Sequence, residues 1–248
     1  MDLLDFVIEK HGGLDRLKSV NQIIIEAKTG GWALPLRFRL NAFKDYQARI
    51  FMHTPHVIIT PHPKPGKRGV FRENTVWIEN DSGRILTERK NARNAFQGFR
   101  HKIWWDNLDA MHFAGYALWN YLTIPYLLLH PDLKIEEIAP WEEGGERWRR
   151  LTVIFPTTIL THSTEQTFYF DASGLLRRHD YTAEVFGPWA HAAHYSWGHR
   201  EFDGITIPTQ RQVFPIKKDG KPLRLVTLVR IEIIQVKVKY GDKRETAG

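Results

Sequence analysis

The strongest constraint on this chain is the way short turn sequences separate runs of alternating apolar and polar residues. Asp81-Ser82-Gly83, Asp171-Ala172-Ser173-Gly174, Asp203-Gly204 and Asp219-Gly220 each stand between two such runs. Turns this short can only reverse the chain, because a parallel connection needs a crossover of about a dozen residues or more. The runs cover Gln22 to Thr29, Pro35 to Phe43, Asp45 to His53, Val57 to Thr60, Thr75 to Glu79 and Arg84 to Glu88. They resume over Trp148 to Phe155, Thr164 to Phe170, Leu175 to Glu184, Ala193 to Phe202, Thr206 to Phe214 and Leu225 to Val238. The pattern predicts roughly ten antiparallel strands, with Pro61 to Gly69 as a loop rich in Pro and Gly. Between Pro35 and Phe43, Leu36, Phe38 and Leu40 alternate with Arg37, Arg39 and Asn41, as on a half-buried strand.

Helical period occurs only at the start, over Leu3 to Lys10 and Leu14 to Leu17, and in the middle, from about residue 92 to 130. A sheet of this size must curl, and its concave face needs covering. The helix predicted over Trp104 to Leu122 is the element able to cover it. The fold class expected is therefore mainly β (α+β): a large curved antiparallel sheet, or half-barrel, with a helical lid at about 92–130. No linker or repeat divides residues 1–248, so one domain is expected, ending in a frayed polar tail from Gly241 to Gly248.

Composition narrows the function. The 248 residues contain no cysteine, which removes disulfide frameworks, thiolate-held zinc, iron–sulfur clusters and cysteine nucleophiles. The net charge of +7 comes from scattered residues, with no nucleic-acid-binding motif, so no nucleic-acid partner is expected. Such a balance suits an anionic ligand or a contact with a membrane surface. The first ten residues are acidic where a secretory leader would be basic, which leads to the expectation of a cytoplasmic protein. The 22 residues between Asp109 and Asp132 carry no formal charge. His112, Asn120, Thr123, Pro125 and His130 interrupt them, so they read as a buried or cavity-lining helix rather than a transmembrane span.

From Trp148 to Pro208 a further order of features stands out. Trp148 to Pro156 leads to Gln166-Thr167-Phe168-Tyr169-Phe170-Asp171, then Gly174-Leu175-Leu176-Arg177-Arg178, and finally Phe202-Asp203-Gly204-Ile205-Thr206-Ile207-Pro208-Thr209. With the opening His11-Gly12-Gly13-Leu14-Asp15-Arg16-Leu17, this order resembles the LolA/LolB/LppX-like lipoprotein-carrier superfamily over about two thirds of the chain. The resemblance implies a half-barrel whose concave face, capped by helices, holds acyl chains or another hydrophobic ligand. The sequence lacks the lipid-anchor cysteine of exported members and carries twelve histidines.

Two constellations could carry chemistry. Trp105, Asp109, His112, Tyr116 and Trp119 follow at intervals of four, three, four and three, so they share one helical face. There Asp109 could fix the tautomer of His112 for acid–base work. His179, His194 and His199 lie on neighbouring predicted strands, where antiparallel pairing could assemble a zinc or iron site. His53, His56 and His62 read as surface polar residues. No phosphate-binding loop, dinucleotide fingerprint, serine elbow or calcium loop is present.

The sequence thus supports two uses of one cavity. In the first, a hydrophobic or lipid-like molecule is bound by Trp104, Trp105, Tyr116, Trp119, Tyr181, Tyr195 and Trp197, with no cofactor required. In the second, the cavity is an enzyme site with Asp109, His112, His179 and His194 as catalytic groups, or a metal ion on His179, His194 and His199.

Overall fold

The computed structural model describes residues 2–241; the polar tail expected at the C-terminus lies, beyond Gly241, outside the described residues. Among the described residues thirteen strands form one antiparallel, unclosed sheet. They are β1 (Val20–Gly30), β2 (Asp45–Phe51), β3 (His56–Thr60), β4 (Lys67–Arg72), β5 (Thr75–Asn80), β6 (Ile85–Arg89), β7 (Lys134–Glu143), β8 (Glu146–Ile154), β9 (Glu165–Phe170), β10 (Leu176–Thr182), β11 (His191–Phe202), β12 (Ile205–Pro215) and β13 (Val229–Tyr240). The spatial order is β6-β5-β4-β3-β2-β1-β13-β12-β11-β10-β9-β8-β7. The chain therefore builds one half of the sheet, crosses it with helices, and builds the other half back to close on β1. Helices α1 (Leu3–Lys10) and α2 (Leu14–Ser19) precede the sheet, and α3 (Asn107–Thr123) lies on its concave face. The architecture is the mainly β half-barrel with a helical cover.

Four features depart from the sequence pattern. Pro35 to Phe43 is not a strand: the chain leaves the sheet after Gly30, Pro35–Arg37 is a 3-10 turn, and Phe38 and Phe43 adopt left-handed backbone. Its alternation comes from a loop that leaves Leu36, Phe38 and Leu40 in solvent and turns Arg37 inward. Strand β4 occupies the end of the expected 61–69 loop, and β7 was hidden by its charges. As an edge strand, β7 carries the charged residues that discourage pairing with another chain. The final strand begins at Val229 rather than Leu225.

The main core lies between the inward faces of the strands and α3. Ile23, Ile25, Ala48, Ile50, Val57, Ile59, Phe71 and Val76 meet the helix on one half of the sheet. Helix α3 is buried on nearly every side, with only Asn107 and Ala114 partly open. Its N-terminus is fixed by a reciprocal capping box: Asp109 N–H donates to Asp106 Oδ1 at 2.9 Å, and Asp106 N–H to Asp109 Oδ2 at 2.9 Å. Arg89, on the edge strand β6, pairs with both carboxylates. The expected Trp104 start is thereby replaced by a start at Asn107, and no helix of the described residues is long and apolar enough to cross a membrane.

Helix and sheet come unusually close along β4. A β-carbon at Gly69 would collide with the Met111 thioether, and one at Gly115 with the Phe71 ring. These two glycines set the depth to which α3 sinks into the half-barrel. Alanine at Gly115 improves helix propensity by about 1 kcal/mol, but overpacking costs about 1–3 kcal/mol. We expect Gly115→Ala to lower stability in urea titration, and Gly115→Ala with Phe71→Leu to regain part of the loss. A stabilised Gly115→Ala single variant would contradict this packing.

Candidate functional site

Because α3 rests on β2–β5, the concave face over β10–β13 is covered less tightly. The ends of the strands at Gly30, Thr182, His191, Pro215 and Val229 gather at one end of the half-barrel. There a cavity of about 180 Å³ opens between the sheet, α3 and the loop around Phe186. Its walls include Phe113, Ala183, Phe186, Ala192, Val213 and Leu228, with His162 and Tyr181 at its polar side. Phe113, Leu228 and Val229 also border a neighbouring space of about 50 Å³, walled by Tyr46, Ala117, Leu118 and Tyr121. At the other end of α3 a wider groove of about 710 Å³ runs past Met52, Trp119, Tyr126 and Leu129. That groove is more polar, with Lys18, His53, Glu73 and His130 among its walls.

The segment between β8 and β9 lies alongside α3 across the concave face and brings in a residue that sequence reasoning missed. The Asn120 side chain donates to the Leu160 carbonyl at 2.9 Å, and His162 inserts between two tyrosines of α3. Its Nδ1 lies 3.2 Å from the Tyr116 hydroxyl and its Nε2 2.7 Å from the Tyr121 hydroxyl. Tyr121 in turn meets the Tyr181 hydroxyl at 2.9 Å, and the Tyr181 ring stacks on His162 at 4.0 Å. A neutral imidazole has one donor and one acceptor, which this chain of hydroxyls satisfies. Burial holds His162 well below the usual imidazole range, and His179 and Arg93 add to the effect. Burial likewise raises Tyr116 to about 12. The network is a neutral, satisfied polar wall.

The expected pair Asp109 and His112 is not joined. Asp109 serves the capping box, Arg89 and, at 3.2 Å, His101. His112 points instead among Phe71, Phe96 and Tyr116, and neither of its ring nitrogens has a hydrogen-bond partner. Its pKa falls to about 3 through burial, with repulsion from Arg93 and Arg89 adding to it.

The three-histidine group is not assembled either. His179 and His194 are register partners with ring centroids 6.0 Å apart, as antiparallel pairing suggested. His179 is committed to Gln166 Oε1 at 2.5 Å, whereas His194 packs edge-on against Tyr121 at 4.3 Å. His199 sits further along the strand against His11, at 6.4 Å. Among the described residues no three His, Asp or Glu side chains converge as metal ligands.

Of the expected aromatic lining, Tyr181 borders the 180 Å³ cavity. Trp105 and Tyr116 are fully buried against its walls. Trp105 contacts Phe113 and Phe186, with ring centroids at 5.4 and 4.7 Å. Trp119 lines the far groove, with its indole N–H donated to the Phe51 carbonyl. Trp104 stands outside, between the guanidinium groups of Arg39 and Arg100.

Tyr195 and Trp197 fall on the opposite, convex face, because side chains alternate along β11 and His194 faces inward. Tyr195 belongs to a second small core there with Trp148, Tyr169 and Phe214, and donates to Glu143 at 2.6 Å. His62, expected at the surface, is buried; it stacks on Phe43 at 4.8 Å, and its Nε2 donates to the Asn107 carbonyl at 2.9 Å.

Comparison with known proteins places the fold. No family model matches the sequence, and no curated protein matches it. Solved structures do. A DUF1329 family protein from Desulfovibrio piger is similar at 12% identity and TM-score 0.51, covering 97% of this chain and 93% of its own. A LolA superfamily protein from Nitrosomonas europaea is similar at 11% identity and TM-score 0.51, covering 95% and 93%. A third, described as an outer membrane lipoprotein-sorting protein domain, from Vibrio parahaemolyticus, has 9% identity, TM-score 0.53 and coverage of 97% and 94%. The chain has the LolA-like half-barrel fold over nearly its whole length.

The buried imidazoles set a pH dependence. The unfolded chain takes up protons near the ordinary histidine pKa of about 6.5, while folded His112 resists until about 3 and His162, His179 and His194 lie well below 6.5. Depressed folded values give stability that is present above about 6.5 and lost as pH falls below it. We expect His112→Leu to raise stability at pH 7 by about 1 kcal/mol, by removing two unpartnered nitrogens. Proton uptake on unfolding at pH 5 should drop by about one. Urea titrations at both pH values check this, and a destabilised variant at pH 7 would mean that the ring has a partner.

Proposed function

We propose that this protein binds a small hydrophobic or lipid-like molecule in the space between its curved sheet and α3. The observation that carries the reading is the apolar cavity of about 180 Å³ walled by Phe113, Phe186, Ala192, Val213 and Leu228. Well-packed interiors rarely leave voids larger than a water. An engineered cavity of about 150 Å³ lined by similar side chains stays dry and admits benzene. Apolar walls with a few fixed polar groups, here His162 and Tyr181, are the ordinary composition of a small-molecule pocket.

The fold supports the same reading, since a protein described as a lipoprotein-sorting domain shares it. Binding of this kind requires no cofactor and no metal. The 710 Å³ groove is larger, but its more polar and charged walls suit a hydrophobic ligand less.

N-Phenyl-1-naphthylamine, a neutral dye that brightens in apolar surroundings, tests the proposal. Wild-type protein should bind it saturably. Ala192→Phe, which places a ring in the cavity, should weaken binding by about tenfold or more with an unchanged melting temperature. Unaltered dye binding in Ala192→Phe would move the site elsewhere, and absence of binding in the wild type would overturn the proposal.

A further inference from the structure

The 180 Å³ cavity has one cation on its wall and no acid. Arg37, in the 3-10 turn between β1 and β2, is 9% exposed and lies over the Phe186 ring at 4.9 Å and the Trp105 ring at 5.9 Å. Its one hydrogen bond runs from Nη1 to the neighbouring Leu36 carbonyl at 3.3 Å, and its Nε has no partner. No carboxylate of the described residues pairs with it. Other guanidinium groups are treated differently: buried Arg178 is gripped by Asp180 and Glu143, and half-buried Arg89 by Asp106 and Asp109. Removing a charge from water without a counter-charge is costly, so the unpaired Arg37 needs an explanation outside the packing of the fold.

We propose that the cavity is built for an anionic amphiphile, a carboxylate bearing a medium-length apolar tail, whose carboxylate is held by Arg37. The inference rests on hydrophobic binding in this cavity and adds the chemistry of the head group. Leu36 and Trp189 border the cavity yet are 59% and 71% exposed, so its mouth lies at these two residues. Arg37 stands just inside that mouth. Its planar array of donors matches a carboxylate, which can accept two parallel hydrogen bonds. The tail then runs past Phe113 and Ala192 toward His162 and Tyr181, an end kept neutral by burial.

This arrangement leaves the charged head next to water and the chain in the dry interior, as the solvation of each part requires. Arg211 is also buried without a carboxylate, but it donates to the Tyr121 carbonyl at 2.8 Å and the Ser196 hydroxyl at 3.2 Å. The space it borders, about 10 Å³, holds no more than a water.

Calorimetric titration with decanoate and with 1-decanol separates head group from tail. Wild type should bind decanoate about 10- to 100-fold more tightly than decanol, the range expected for hydrogen bonds to a charged group. Arg37→Met keeps the apolar stem and should lose that preference while binding decanol unchanged; Arg37→Lys should keep part of it. Equal binding of the two ligands by the wild type, or a preference that survives in Arg37→Met, would overturn the inference and leave hydrophobic binding standing. If decanoate, decanol and N-phenyl-1-naphthylamine all fail to bind, both readings fall. Should Arg37→Met not fold, the wild-type comparison of the two ligands decides the matter alone.

Discussion

The seating of α3 on β4, through Gly69 and Gly115, is the contact on which the rest of the molecule depends. A curved sheet of thirteen strands has more concave surface than one helix of seventeen residues can cover. Where the two glycines let Met111 and Phe71 interlock, the helix sinks fully and the core is dense. The helix is committed to β2–β5 by that contact and by the Arg89 clamp on its N-terminus. Toward β10–β12 it reaches through Tyr121 near its C-terminal end. The space that remains on that side is filled in part by the His162 segment, in part by Phe186, and in part by nothing. The cavity is the geometric consequence of an off-centre helix.

Polar groups in this interior follow a consistent logic. Burial lowers the pKa of His112, His162, His179 and His194, and the tyrosine hydroxyls of α3 and β10 satisfy His162 at the centre. Asp109, which looked like half of an acid–base pair, is turned away from His112 to cap its own helix. Of the buried side chains that sequence reasoning marked for catalysis, Asp109 caps its own helix and His179 meets Gln166. His112 and His194 are the exceptions, buried with unpartnered nitrogens. They are places where the fold gives up stability without a compensating hydrogen bond.

Much of the fold could be read from the chain because antiparallel sheets announce themselves locally. Turn residues at Asp203-Gly204 and Asp171 to Gly174 sit where the strands reverse, and the inward residues of β1, β2 and β12 alternate as expected. The uncharged stretch after Asp109 was recognisable as the cover for the same reason. What failed had physical causes. The alternation of Leu36, Phe38 and Leu40 belongs to a loop, which a period of two cannot distinguish from a strand. Strand β7 is an edge, so its charges mimic a loop.

The candidate site was less legible than the fold. Tyr116 and Tyr181 emerged from spacing, but Tyr195 and Trp197 point outward on the same strand that directs His194 inward. Helix α3 is buried all round, so choosing one face of it by period had little meaning; Phe113 lines the cavity, and Tyr121 the small space beside it, from a face left out. His162, Phe186 and Arg37 come from irregular segments whose path is set by tertiary packing, and no local pattern marks them. Methyl NMR of the protein titrated with N-phenyl-1-naphthylamine should show shifts confined to methyl groups of Ala183, Ala192, Val213, Leu228 and Val229 around the 180 Å³ cavity. Shifts confined instead to Met52, Leu127 and Leu129, in the groove at the other end of α3, would contradict binding between the sheet and the N-terminal half of the helix.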